Sequence, residues 1–175
     1  MKMEKIALSG GDKGIKEILL KMKDIVIKSD IDDKDRIVKR YAKSIISKVP
    51  ITDELGQINA ILQWVRENIR YTPDIYQVEE ITSPHILLSM FEKGNMGFSS
   101  DCDDMALLTA SLLRSIGFKT RLEAVAIKHN DRYDHARVSV FSNTYKKWLP
   151  LEPTSKSLPI GKGFKSYKNI LAVEL

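Results

Sequence analysis

The chain has 175 residues, of which 43% are hydrophobic and 29% charged, and it carries a net charge of +5. A chain of this length and composition can bury the core of a soluble globular protein, and its one cysteine excludes an intramolecular disulfide. The positive charge comes from dispersed lysines without interleaved aromatic residues, which argues against a nucleic-acid partner.

The sequence shows neither a membrane span nor a signal peptide. No apolar run approaches the roughly 18 residues that a transmembrane helix requires, and the N-terminus lacks the apolar centre of a signal peptide. We therefore expect a cytoplasmic protein without a membrane partner. No internal repeat or long linker divides the chain, so we predict one domain over residues 1–175, with residues 1–50 as an N-terminal helical segment. The sequence leaves the oligomeric state open.

The first 70 residues carry the pattern of three amphipathic helices, in which apolar residues recur every three or four positions. We expect the acidic pair Asp32 and Asp33 to begin the second helix, and Thr52 and Asp53 to begin the third. The three apolar stripes consist of Ile15, Ile18, Leu19, Met22, Ile25 and Val26, then Ile37, Tyr41, Ile45 and Ile46, then Leu55, Ile58, Leu62, Val65 and Ile69.

Two further helices are predicted downstream of these. Ser83 can cap a short helix whose first position is Pro84, and Gly94 ends it. A glycine-containing loop then leads into a helix that begins at Cys102. Apolar residues surround that helix almost completely, which predicts that it is buried, and Gly117 suits the left-handed position after its last turn.

The hydrophobic period changes to two after Gly117, which predicts β-strands. We expect strands over residues 120–127, 135–141 and 147–151, joined by turn-like polar segments. In the second of these strands, His135 belongs to the face opposite the apolar one. Helices followed by consecutive antiparallel strands predict an α+β fold.

Cys102 is either a small buried hydrophobe or a working thiol. Its position at the start of a helix favours the working thiol, because the partial positive charge of a helix N-terminus lowers a thiol pKa. A neighbouring imidazolium lowers the pKa further, and such a histidine needs an acceptor that orients it. We therefore interpret Cys102 as a candidate nucleophile that requires a histidine and an acid.

Of the three histidines, His135 fits this chemistry best. His85 lies inside the short helix and is interpreted as a surface or packing residue, whereas His129 lies in a polar turn. His135 begins a strand whose other face is apolar, so its side chain can meet a second element. Glu152 ends the next strand, and in a hairpin that position is beside the start of the preceding strand. Glu152 is the acceptor candidate, and the alternative is an exposed strand-end carboxylate.

Three aspartates crowd the candidate nucleophile. The charges of Asp101, Asp103 and Asp104 raise the pKa of a nearby thiol, whereas acids in a first turn stabilise the start of a helix. We interpret Asp103 and Asp104 as mainly capping and structural residues. The alternative is a Ca²⁺ site, but such a site requires roughly six to eight oxygen ligands. We expect neither a metal nor another cofactor.

Three ordered motifs resemble those of the transglutaminase-like superfamily. Residues 101–121 resemble its nucleophile helix and the following strand, residues 134–140 its histidine strand, and residues 148–154 its W…LDPT element. The resemblance covers residues 53–161. The chain also resembles the small versions of the family found in bacteria and in phage genomes.

The resemblance implies a papain-like α+β core over residues 53–161, with N-terminal helices and a nucleophile helix packed on an antiparallel β-sheet. It also implies a catalytic triad of Cys102, His135 and Glu152 that acts on the amides of a peptide or protein substrate. Cys102 would attack the carbonyl carbon, and His135 would protonate the leaving amine. Glu152 would orient His135, although the family usually has an aspartate there, and Ser100 replaces a usual glycine.

We expect a cysteine-dependent amide hydrolase, most simply a protease, that works through an acyl-enzyme. A transglutaminase is the close alternative, which differs only in whether water or an amine accepts the acyl group. The lack of accessory domains in so short a chain favours hydrolysis. The third alternative is a non-catalytic binding or virion assembly module on the same fold.

Overall fold

The computed structural model describes residues 4–6, 11–32, 36–72, 79–94, 100–128 and 132–175. Its helices are α1 (Gly11–Asp32), α2 (Ile37–Ile45), α3 (Glu54–Asn68), α4 (Pro84–Glu92) and α5 (Cys102–Ser115). Its strands are β1 (Glu4–Ile6), β2 (Glu79–Ile81), β3 (Thr120–Val125), β4 (His135–Ser142), β5 (Lys147–Leu151) and β6 (Leu171–Glu174). Helices followed by an antiparallel sheet confirm the predicted α+β class.

Helix α1 forms where its apolar stripe predicts it. The stripe packs against α4, α5 and the strands β3 and β6. Burying one such aliphatic side chain stabilises a fold by about 1.5 to 3 kcal/mol, so α1 is part of the core and not an appendage. The stripe is half-buried at Ile15 and buried at Ile18, Leu19, Met22, Ile25 and Val26.

The predicted start of the second helix is wrong. Asp32 is the last residue of α1, and Asp33 lies outside the described residues. Helix α2 begins after Arg36, whose backbone is left-handed with φ of 50° and whose side chain makes no capping hydrogen bond. Ser29, in the last turns of α1, is buried. Because Ser29 is polar, the apolar stripe does not show that the helix continues.

Ser29 joins α1 to α4. Its hydroxyl accepts a hydrogen bond from the backbone N–H of His85 at 3.2 Å and lies 3.0 Å from Nδ1 of the same residue. The hydroxyl thus satisfies an N–H in the first turn of α4, where the predicted cap Ser83 makes no side-chain hydrogen bond. His85 is a packing residue, and Pro84 occupies the first turn as predicted.

Helix α5 occupies the centre of the core. All residues from 103 to 113 are buried, as the nearly continuous apolar pattern predicts. The helix packs against β3 and β4 on one side and against α1, α2, α3 and α4 on the others. Gly117 follows it with φ of 97°, in the left-handed conformation predicted for this position.

Strands β3 to β6 form an antiparallel sheet in the order β5-β4-β3-β6. Leu122 pairs with Val138 on the face that packs on α5, and Val125 pairs with His135 on the other face. His135 therefore lies on the predicted side of β4. The pairing of β6 with β3, and that of β1 with β2, are not predicted. These strands have only three or four residues, too few to show a period of two.

Two predicted loops lie partly outside the described residues. Residues 95–99 include most of the predicted glycine-containing loop, and residues 129–131 include His129. Within the residues that the structure describes, no helix combines the length and the hydrophobicity of a membrane span.

Glu54 ties the N-terminus of α3 to the turn between β4 and β5. One carboxylate oxygen accepts from the N–H of Asn143 at 2.7 Å, and the other accepts from the N–H of Thr144 at 3.0 Å and the hydroxyl of Ser142 at 2.9 Å. Burial acts to raise the pKa of Glu54, but hydrogen bonds from Thr144, Asn143 and Ser142 outweigh it and lower the pKa to about 2. Asp53 caps the same helix, as predicted.

We expect Glu54→Gln to make the protein less sensitive to acid. Because the pKa of Glu54 is lowered, its contribution to stability is fully present above the unfolded value of 4.5 and is lost as the pH falls towards about 2. The drop in Tm between pH 7 and pH 3 should be smaller in the variant by about 2 to 4 °C. That is the shift made by about 1 kcal/mol in a chain of this size, after solvent screening.

The control is Glu67→Gln, at an exposed residue of the same helix, which should show the wild-type drop. Equal drops in Glu54→Gln and wild type would contradict the role of this carboxylate.

Candidate active site

Cys102 is the first residue of α5, where the backbone N–H groups of the first turn point out of the helix. The N-cap is Asp101, whose carboxylate accepts from the N–H of Asp104 at 3.0 Å. The carboxylate of Asp104 in turn accepts from the N–H of Thr82 at 2.7 Å. The capping role predicted for Asp103 and Asp104 therefore belongs to Asp101, whereas Asp104 is structural as predicted.

The surroundings of the Cys102 thiol favour its protonated form. It donates to Oδ1 of Asp103 at 3.5 Å, and the N–H of Ala136 can donate to its sulfur. Burial raises the pKa of the Cys102 thiol well above its usual value, the charges of Asp103 and Asp101 raise it further, and the Ala136 N–H opposes them. The lowering of the pKa predicted from the helix N-terminus is therefore outweighed by burial and by the two aspartates.

His135 and Glu152 meet where β4 begins and β5 ends. Nε2 of His135 lies 2.8 Å from Oε2 of Glu152. Glu152 has no exposed surface and His135 is 8% exposed, so the alternative of a solvated strand-end carboxylate is wrong. The imidazole also packs edge-on against the ring of Phe164, with 5.5 Å between the ring centroids.

The remaining acceptor groups of Glu152 are also occupied. Oε1 accepts from the N–H of Phe164 at 3.0 Å and lies 3.3 Å from Nη1 of Arg137. The backbone carbonyl of Glu152 accepts from Nη2 of Arg66 at 2.9 Å. Because these bonds fix both ends of the residue, Oε2 is presented to His135 in one orientation.

A buried ionic network continues behind Glu152. Arg137 donates through Nε to Glu123 at 2.6 Å, and the other oxygen of Glu123 accepts from Ser139 at 2.6 Å and lies 2.6 Å from Nη2 of Arg121. Burial acts to raise the pKa of Glu123, but the hydrogen bond from Ser139 and the charge of Arg137 lower it overall. Charges alternate in the order Arg121, Glu123, Arg137 and Glu152, and Glu152 contacts His135.

Gly163 closes this network from behind. A side chain at Gly163 would overlap Nη1 of Arg137, and its Cβ would lie 3.2 Å from Oε1 of Glu152. The backbone that carries the Phe164 N–H can approach the carboxylate closely only because Gly163 has no Cβ.

Cys102 and His135 line the same cavity, which has a volume of about 250 Å³. Two carboxylates beside the thiol, Asp101 and Asp103, line the cavity as well, and so does Ala136, the residue after His135 in β4. The structure thus brings the predicted nucleophile and the predicted His135–Glu152 pair to one place. The other lining residues are Ile15, Ile18, Leu19, Met22, Tyr71, Ala124, Lys128, Tyr133 and Asp134.

The model of the transglutaminase-like superfamily matches residues 39–153, about two thirds of the chain. This chain belongs to the transglutaminase-like superfamily. The match includes Cys102, His135 and Glu152. It begins at residue 39, upstream of residue 53, where the resemblance is predicted to begin. No curated protein matches the sequence.

Several solved structures are similar to this chain. LapG of Legionella pneumophila, treated with EGTA, is similar with a TM-score of 0.51 and 16% identity, over 82% of this chain and 74% of that chain. A candidate cysteine protease from Cytophaga hutchinsonii has a TM-score of 0.48 and 16% identity over 79% of this chain. A candidate protease from Parabacteroides distasonis has a TM-score of 0.49 and 11% identity over 83% of this chain. The chain spans only 47% and 30% of the last two proteins.

The groups that support Glu152 in this transglutaminase-like site are not predicted from the sequence. Arg66 is 86 residues from Glu152, and Phe164 follows Glu152 by 12 residues in a segment outside the strands, so no local pattern relates them. The sequence does contain a signal for the role of Arg137. On the polar face of the β3–β4 pair, Arg137 is opposite Glu123, and opposite charges across two strands predict an ion pair. Among the described residues, no group of three or more His, Cys, Asp or Glu side chains is arranged to hold a metal ion.

We expect the alkylation rate of Cys102 by iodoacetamide to keep rising through pH 9 without a plateau. Only the thiolate reacts, and the pKa of this thiol is raised above its usual range. Asp103→Asn removes a charge and a hydrogen-bond acceptor beside the sulfur, so it should shift the pH profile to lower pH. The measurement is intact-protein mass spectrometry, which is unambiguous because the chain has one cysteine.

Asp24→Asn makes the same charge change at an exposed position of α1 and should leave the profile in place. A wild-type midpoint below the value of about 8.5 that is usual for a thiol would contradict this account of the sulfur.

We expect Arg137→Ala to destabilise the fold by about 3 to 5 kcal/mol, because it leaves Glu123 and Glu152 buried without their shared cation. Arg121→Ala is the matched control, since Arg121 also pairs with Glu123 but has 28% of its side chain exposed, against 5% for Arg137. Arg121→Ala should lower the free energy of unfolding by about 1 kcal/mol or less. Urea unfolding measures both, and equal losses would contradict the distinction.

Proposed function

We propose that the protein is a cysteine-dependent amide hydrolase that works through Cys102, His135 and Glu152. The observation that carries the proposal is the 2.8 Å contact between Nε2 of His135 and a fully buried Glu152, beside a cavity that Cys102 also lines. A nucleophile, a base and an orienting acid are the parts that acyl transfer requires. The membership of the transglutaminase-like superfamily supports the same reaction class.

In the first half-reaction, the Cys102 sulfur attacks the carbonyl carbon of an amide. His135 takes the thiol proton as the C–S bond forms, and then gives a proton to the nitrogen as the C–N bond breaks. Because Nε2 faces Glu152, Nδ1 is the ring nitrogen assigned to this transfer. The N–H of Cys102, at the start of α5, donates to the developing oxyanion.

In the second half-reaction, water attacks the carbonyl carbon of the thioester and loses a proton to His135. The C–S bond breaks, the carboxylic acid leaves, and the sulfur recovers the proton from His135. Glu152 stabilises the imidazolium in both halves and keeps the ring oriented.

The raised thiol pKa decides when the nucleophile forms. Burial and two aspartates favour the thiol in the free protein, so the proposal does not rely on a thiolate that exists before substrate binds. Proton transfer to His135 accompanies the attack, and the Ala136 N–H then stabilises the negative sulfur. Cys102 is therefore reactive towards carbonyl substrates held in the cavity and slow towards simple alkylating agents.

The test is covalent labelling by a peptidyl acyloxymethyl ketone, whose carbonyl stands in for the amide. Wild type should be labelled at Cys102 and Cys102→Ala should not. His135→Asn should slow the labelling about 100-fold or more, which is the usual contribution of a general base. His85→Asn is the matched control and should label at the wild-type rate, because His85 packs against Ser29 outside the cavity. Equal rates in wild type and His135→Asn would overturn the proposed role of His135.

The acyl acceptor is tested separately. Incubation with a glutamine peptide and a labelled primary amine should leave the peptide unlabelled if water is the acceptor. Incorporation of the label would overturn hydrolysis in favour of a transglutaminase.

A further inference from the structure

Helix α1 lies outside the part of the chain that the family model matches, which begins at residue 39. It nevertheless lines the cavity that contains the candidate nucleophile, through a contiguous apolar group. We call this group the α1 wall, and its members are Ile15, Ile18, Leu19 and Met22.

The α1 wall is held firmly in place. Ile18, Leu19 and Met22 are buried in the core, and Ile15, which is half-buried, packs against it. Nζ of Lys23 donates to the carbonyl of Glu174 at 2.7 Å, which joins α1 to β6. Like α1, the strand β6 lies outside the family match. The wall is therefore a fixed surface of the cavity.

The rest of the cavity lining includes three aspartates and one lysine. Asp101 and Asp103 lie beside the sulfur and Asp134 also lines the cavity, whereas Lys128 is its one lysine or arginine among the lining groups that the structure describes. Ile127 and Lys128 donate their backbone N–H groups to Asp134 at 2.7 and 2.9 Å, which fixes that carboxylate as well. A negative side chain in this cavity would meet more carboxylates than cations.

We infer that the α1 wall selects the acyl side of the substrate, and that the preferred acyl group carries a branched apolar, uncharged side chain next to the scissile carbonyl. This inference rests on the proposed function. The acyl group stays bonded to Cys102 until the second half-reaction, so residues around the sulfur contact it longer than they contact the leaving amine. Ile15 is the half-buried member of the wall, so an apolar side chain placed against it removes apolar surface from water on both partners.

The experiment uses peptidyl acyloxymethyl ketones that differ only in the residue before the ketone. Wild type should react with the leucine probe at least about tenfold faster than with the alanine probe, as expected when a hydrophobic pocket loses several carbons of its ligand. The glutamine probe should react faster than the glutamate probe, which has the same shape and an added negative charge. Equal rates for leucine and alanine would overturn the inference.

The variants locate the preference on α1. Ile15→Ala should reduce the ratio of the leucine rate to the alanine rate several-fold. Ile15→Leu keeps a large apolar side chain and should retain most of the wild-type ratio. Leu20→Ala is the matched control, because Leu20 is on the same helix, 45% exposed and not part of the cavity. A ratio that survives in Ile15→Ala would also overturn the inference.

Failure of the proposed function gives a different result. If no probe labels Cys102 faster than iodoacetamide does, the proposed function falls and the inference falls with it. If Cys102 is labelled in a His135-dependent manner but every probe reacts at the same rate, only the inference falls.

Discussion

A carboxylate that has no contact with solvent determines the geometry of the site. An unpaired carboxylate at that depth would be strongly unfavourable, so Glu152 requires a partner for each of its acceptors. The partners come from β4, from α3 and from the segment that contains Phe164, which are far apart in the sequence. His135 can therefore be oriented only when these separate parts of the fold have assembled.

In the proposed mechanism, the same site separates the resting state of the thiol from its reactive state. At rest, burial and the carboxylate of Asp103 keep the sulfur protonated, whereas Glu152 is positioned to stabilise a positive imidazole. A protonated thiol resists oxidation to sulfenic acid, because oxidation also proceeds through the thiolate. The aspartates beside Cys102 thus favour the form of the single cysteine that is less easily oxidised.

The sequence predicts the elements with strong periodicity and fails where a buried residue is polar or a strand is short. Because the buried residue Ser29 is polar, the apolar pattern does not predict the last turns of α1. Strand β6 has too few residues to show alternation. For the site, Cys102 is placed by its helix and Glu152 by its hairpin, so both are predicted. Arg66, Phe164 and Gly163 are not, because their relation to Glu152 depends on how the chain packs and not on a local period.

Helix α1 belongs to the hydrophobic core and to the wall of the cavity at the same time. Substitutions at Met22 or Leu19 that reshape the cavity also remove buried contacts, so each change in the substrate preference that we infer for this wall would carry a loss in folding stability. Ile15 is the exception, because it is only half-buried at the cavity. Divergence among relatives that share this helix should therefore be concentrated at the position of Ile15, with changes deeper in the stripe following only where stability allows them.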